Sequence, residues 1–234
     1  MRKLLEHPRA VAGMSLERIH ADTRVYESEG GDWSLHLVEA SHANRDAAQA
    51  FIHDAYARVF DADVRDYFPS IITLKDRANG LRGAVGARYA FGQPLFLEQY
   101  LHGPVTDLIS ERTRTPVARD GVVELGNLSV TRPAMTYPFM SLLGGWLRDV
   151  GIEWLVFSLT ATLRRLFERA GVTMVDLAPA DPTRLQPSST RWGAYYQHDP
   201  RIVAIELAGG LVRFNQRHPL PTPQPSRALE AACS

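Results

Sequence analysis

The sequence predicts an α/β fold: a central mixed β-sheet flanked by helices. Three observations carry this. Apolar periodicity switches repeatedly between the two-residue period of strands and the 3.6-residue period of helices. Gly151 and Gly171 stand where two helical patterns stop. From residue 122 onward strand patterns precede and follow helical ones, an order that calls for crossover connections within one sheet.

Residues 1–33 are polar and irregular, with Gly30-Gly31 near the end, and read as a flexible arm. The main domain spans 34–215. Leu35 to Val38 alternates like a strand. Asn44 then precedes a helical stretch whose apolar face is Ala48, Phe51, Ile52, Ala55, Tyr56 and Val59, and is read as its cap. Ser70 to Leu74 reads as a strand, Asn79-Gly80 as a hairpin turn, and Leu81 to Phe91 as the next strand. Pro94 to Leu101 and Val105 to Arg112 read as helical. Asp120-Gly121 turns the chain into a fourth strand, Val122 to Val130.

Tyr137 to Val150 is a predicted crossover helix, followed by a fifth strand, Trp154 to Leu159. Thr160 is placed to cap a helix over Ala161 to Ala170. Thr173 to Leu177 is a strand, Pro179 to Pro200 a long insertion, and Ile202 to Leu207 the last strand. From 216 to 234 four prolines (219, 221, 223 and 225) fall close together, which predicts an extended, disordered tail.

Composition narrows the function. With 234 residues, 45% hydrophobic and 22% charged, the chain suits one globular domain with a substantial core. Lys plus Arg equals Asp plus Glu at 26 each, so no overall basic excess argues for a nucleic-acid partner. The single cysteine, Cys233, excludes an intramolecular disulfide. Met1-Arg2-Lys3-Leu4-Leu5 runs straight into Glu6, His7 and Pro8, without the apolar stretch of about 7–15 residues of a secretory signal. No run approaches the roughly 20 apolar residues that span a bilayer. The cytoplasm is the expected compartment. The eight histidines show no metal-ligand spacing, and there is no nucleophile elbow or phosphate-binding loop motif, so no metal is expected.

Four stretches carry a resemblance. They are Pro94 to Leu101 (PLFLEQYL), Val123 to Leu128 (VELGNL), Phe157 to Arg164 (FSLTATLR), and Trp192 to Tyr196 (WGAYY) with Pro200. In this order they resemble the thermostable haemolysin family over roughly residues 35–210. The element order is similar to that of GNAT-type acyltransferases. The second stretch is also similar to a motif of acyl-homoserine lactone synthases, in which a strand glutamate is followed three residues later by an arginine. Here Glu124 is followed by Asn127, which argues against homoserine-lactone chemistry and leaves acyl transfer to another acceptor open.

The resemblance implies an N-acyltransferase that uses acyl-CoA or a phosphopantetheine-linked donor on an acyl carrier protein, with a small amine or amino acid as acceptor. It implies that the fourth and fifth strands part, and that the acyl carbonyl meets backbone N–H groups there. Glu124, among apolar neighbours, would have a raised pKa and would take the amine proton; otherwise it is a structural glutamate paired with Arg88. Asn127 reaches the same cleft only if a bulge near Gly126 turns it there. Glu98 would orient the amine, or else pair with an arginine.

Arg88, Tyr100 and Leu128 join the substrate-binding set. Trp192, Tyr195 and Tyr196 would wall an acyl tunnel or protonate the leaving thiolate, or would pack the insertion against the sheet. Two departures from ordinary acetyltransferases stand out. The segment Thr131 to Pro138 has two prolines and no glycine where a phosphate-cradling loop is expected, leaving Arg132 as the phosphate contact. Phe167 stands near where the following helix often carries an acidic tyrosine. Two further readings follow: a membrane-lytic protein acting through Met140 to Val150, and an inactive GNAT-like binding subunit.

Overall fold

The computed structural model describes residues 23–28 and 31–218. Its eight strands form one mixed sheet in the order β1-β2-β3-β4-β5-β6-β8-β7. The strands are β1 (Thr23–Glu27), β2 (Trp33–Val38), β3 (Ser70–Asp76), β4 (Leu81–Tyr89), β5 (Val122–Val130), β6 (Trp154–Leu159), β7 (Val175–Pro179) and β8 (Arg201–Glu206). Every neighbouring pair is antiparallel except β5 and β6. Their parallel pairing requires a crossover, which helix α3 (Thr136–Asp149) supplies.

Alternation along the strands gives the sheet two apolar faces. On β5, Val123 and Leu125 join a core with α3 and with α5 (Leu207–Arg217). Val122 points the other way, toward α2 (Val105–Thr113) and a 3₁₀ turn at Phe96–Tyr100. Helix α1 (Arg45–Phe60) covers the same face through Ala48, Ile52 and Tyr56, over β3 and β4. Helix α4 (Ala161–Arg169) buries Phe167 in the first core, against Phe157 and Phe214.

Gly151 and Gly171 take left-handed conformations just beyond α3 and α4, as expected of helix stops. The hairpin turn is closed by Asp76, whose Oδ1 accepts the Gly80 N–H at 2.7 Å. Three expectations need correction. Asn44 and Thr160 precede their helices without a side-chain cap bond. Val59 turns outward and is 59% exposed.

Thr23–Glu27, inside the stretch 1–33 read as an arm, pairs with β2 as the edge strand; the predicted fourth and fifth strands are therefore β5 and β6. Residues 207–217 form a helix that extends past position 215 and into the predicted tail. The remainder of that tail and residues 1–22 lie outside the described residues.

The proposed lytic segment is core. Met140, Leu142, Leu143, Trp146 and Leu147 of α3 are all buried. Among the described residues no helix is long and apolar enough to cross a membrane.

Candidate active site

The central strands part where the resemblance implies they should. Pairing of β5 with β6 runs from Val122–Trp154 to Leu125–Phe157 and stops. Beyond it Gly126, Ser129 and Val130 pair only with β4, while Ser158 and Leu159 pair with β8. A bulge marks the divergence. The β4–β5 register shifts between Gly86–Gly126 and Ala84–Ser129, and Asn127 takes a left-handed φ of 54°. Asparagine tolerates that conformation better than most residues. The bulge is where the sequence suggested, but the residue that bends is Asn127 rather than Gly126. Asn127 is buried, with its side chain beside the hydroxyl of Tyr56 on α1.

Glu124 lies just before this fork, on the face covered by α1 and α2, and is 2% exposed. Its two oxygens accept the backbone N–H groups of Phe96 (2.8 Å) and Leu97 (3.0 Å), which open the 3₁₀ turn. Burial raises its pKa to about 7, against the opposing pull of those N–H groups and of the Arg88 charge. At neutral pH it is therefore poised between carboxylate and acid.

Arg88 stands opposite Glu124 in the β4–β5 ladder but forms no ion pair with it. Its guanidinium lies 5.6 Å from the centre of the Phe68 ring, and its buried Nε has no hydrogen-bond partner. Phe68 lies flat against two sheet glycines: a Cβ at Gly86 or Gly126 would fall within 2.6 Å of its ring. The sequence reading missed Phe68, although glycines inside two neighbouring strands signal a close approach.

Aromatic residues from the insertion fill the space beside the fork. Tyr195 is buried, and its hydroxyl bonds the Ser158 carbonyl (3.0 Å) at the first position of β6 no longer paired with β5. Burial pushes that hydroxyl up to about 12. Its ring stacks on Tyr56 at 6.2 Å. Asn127, Tyr56, Tyr195 and Ser158 thus bridge from one parted strand to the other.

Tyr100 and Tyr196 share a hydrogen bond of 2.7 Å between hydroxyls, and burial raises both. Trp192 packs against Tyr195 (5.6 Å) and Phe96 (6.4 Å). The insertion is pinned at Gly193, where any Cβ would strike the Phe60 and Asp61 carbonyls at the end of α1.

Glu98 belongs elsewhere. Its oxygens bond Arg119 at 2.7 and 2.8 Å and accept the Leu95 and Val105 N–H groups. Burial would raise its pKa, but Arg119 and the two N–H groups outweigh this and hold it below the ordinary range. A carboxylate so committed ties the 3₁₀ turn to α2, which is the arginine-paired alternative the sequence left open.

Leu128 packs partly into the core shared with α3. Arg132 is exposed in the segment joining β5 to α3. There Pro133 opens a 3₁₀ turn and Pro138 sits in the first turn of α3, removing two N–H donors from the helix start.

Comparisons agree with this geometry. The model of a family described as thermostable haemolysin matches residues 38–211. No curated protein matches the sequence. Among solved structures, the acyl-homoserine lactone synthase LasI is similar with a TM-score of 0.51 and 15% identity, over 82% of this chain and 98% of that one. The CoA-dependent acyl-homoserine lactone synthase BjaI, solved with SAM and isopentyl-CoA, gives 0.52 and 14%, over 80% and 89%. FeeM, an N-acyl amino acid synthase from uncultured soil microbes, gives 0.50 and 13%, over 75% and 92%. At these identities the likeness is one of fold, and the fold is GNAT-like.

Proposed function

The chain belongs to the thermostable haemolysin family, and we propose that it is an N-acyltransferase, moving a fatty acyl group from a thioester donor to an amine. The observation that carries this reading is the parted β5–β6 pair with a carboxylate of pKa near 7 at its fork. The unpaired edge of β5 beyond Leu125 offers backbone groups to the amide-bearing arm of a phosphopantetheine donor. The prolines at 133 and 138 thin the cradle for a diphosphate. That favours a donor held by its arm, on CoA or on an acyl carrier protein, with Arg132 near its phosphate. Structural neighbours named for acyl-homoserine lactone and N-acyl amino acid synthesis support the reaction class.

The acceptor arrives as an ammonium ion and must lose a proton before it attacks. Glu124, whose pKa burial raises to about 7, accepts that proton in its carboxylate form. The amine nitrogen then bonds to the thioester carbonyl carbon, and the C–S bond breaks with its electron pair on sulfur. The second proton from nitrogen ends on the thiolate, giving amide and free thiol. Phe167 is buried in the other core and has no proton to give, so the hydrogen-bonded hydroxyls of Tyr100 and Tyr196, the first within electrostatic reach of Glu124, are the candidate relay.

Purified protein mixed with acyl-CoA and acyl-carrier-protein donors of graded chain length and a panel of amines should release thiol and form amide. Glu124→Gln should lower kcat by about 100-fold or more, the usual scale of a general base, with its circular dichroism unchanged. No thiol release from any pairing would reject the proposal.

A further inference from the structure

We propose that the acceptor carries a carboxylate, an α-amino acid in the simplest case, and that Arg88 is the group that holds it. This rests on the acyl-transfer reading above and narrows its substrate class. Arg88 and Glu124 face each other across β4 and β5. Opposite side chains on neighbouring strands start about 5 Å apart, a spacing suited to one small molecule bearing both an amine and an acid. Glu124 would meet the amine and Arg88 the carboxylate.

Arg88, half-buried, stands apart from the buried Arg45 and the half-buried Arg119. Arg45 donates to the carbonyls of Val38, Phe68 and Pro69. Arg119 donates to Glu98, Ala90 and Gln93. Among the described residues no hydrogen bond or ion pair reaches the Arg88 guanidinium, and its Nε is both buried and unpartnered. Its one contact of note is the Phe68 ring, which is itself wedged onto Gly86 and Gly126.

Glu124 does not neutralise it, because both carboxylate oxygens are turned to the Phe96 and Leu97 N–H groups. A planar five-donor fork without an acceptor is the complement of a free carboxylate. The donor's phosphate is the wrong anion for this place. Arg132, at the far end of β5, lies more than about 20 Å along the strand from Glu124 at ~3.4 Å per residue.

The test uses full-length protein, dodecanoyl- and palmitoyl-CoA, and each common amino acid beside its carboxamide and its decarboxylated amine. At least one amino acid should be acylated, with kcat/KM about 100-fold or more above its carboxamide and amine. Arg88→Gln should raise KM for that amino acid by about tenfold or more, with a smaller change in kcat, and should collapse the preference for the acid. Arg88→Lys should restore part of it.

Amines used as well as amino acids, or an Arg88→Gln loss equal for acid and carboxamide, would overturn the inference while leaving acyl transfer standing. If no pairing turns over, thermal shift with amino acids alone decides. Stabilisation that needs the carboxylate and vanishes in Arg88→Gln upholds the anchor although acyl transfer fails; no such stabilisation overturns it.

Discussion

Glu124 ties the stability of the molecule to its proposed chemistry. Its folded pKa, about 7, lies above the ordinary glutamate value of 4.5, so between those limits the folded state holds a proton that the unfolded state has lost. Stability from this group is therefore greatest below pH 4.5, falls as pH rises to 7, and is flat above. The shift corresponds to about 3 kcal/mol at ~1.4 kcal/mol per pH unit. Urea melts from pH 4.5 to 8 should show that loss in the wild type relative to Glu124→Gln, while kcat/KM rises over the same range and levels off above 7. Parallel stability profiles would remove the case for a strained carboxylate. Asn127 adds a second test. Asn127→Gly keeps the left-handed backbone but removes the polar side chain beside the Tyr56 hydroxyl, for an expected loss of about 1–3 kcal/mol. Asn127→Val should cost about 1–2 kcal/mol more, because a β-branched residue resists φ near 54°. Equal losses in denaturant melts would mean the bulge is relaxed. Glu124 was legible because a carboxylate inside an apolar strand advertises itself. Which arginine pairs with Glu98 was not legible, since Arg119 lies 21 residues away and only the fold joins them.

The elements show why some patterns read truly and others did not. Each strand from β2 to β8 carries enough alternating or continuous apolar sequence to announce itself. The edge strand β1 does not, because it is held by backbone pairing to β2 on one side only. Helix α5 carries Gly209-Gly210 in its first turn, a pair that weakens a helical pattern in the sequence. In the fold Glu206 accepts the Gly209 N–H at 2.8 Å and caps the helix there, while a Cβ at Gly210 would press within 2.9 Å of Ile205. The same signal, glycine as room for a neighbour, explains the seat of Phe68 on β4 and β5. Gly126→Ala should therefore displace that ring and cost about 1–3 kcal/mol, the usual penalty of overpacking. Phe68→Leu alone should also destabilise, by loss of packing. The double variant should be more stable than the two losses predict when added, because the smaller side chain makes room for the methyl group. Strict additivity in thermal or denaturant melts would show that Phe68 does not rest on Gly126 in solution.

At the scale of the whole molecule, the fold bears on how a member of a family named for lysis would act on membranes. The apolar residues of α3 sit between the sheet and α5, and Leu211 packs so near Gly144 that a Cβ there would lie 3.0 Å from it. Releasing α3 to enter a bilayer would dismantle the larger of the cores. The exposed large hydrophobics among the described residues, Val59, Phe91 and Val212, lie on separate elements and form no amphipathic stripe. Lysis is then expected to follow from an amphiphilic product, a fatty chain joined through an amide to a polar acceptor. Protein alone should leave dye inside phosphatidylcholine vesicles. Protein with acyl donor and a productive acceptor should release it after a lag that shortens with enzyme concentration, and Glu124→Gln should abolish release without altering vesicle binding. Prompt release by protein alone, undiminished in Glu124→Gln, would instead require a membrane-active surface that the packing of α3 gives no reason to expect.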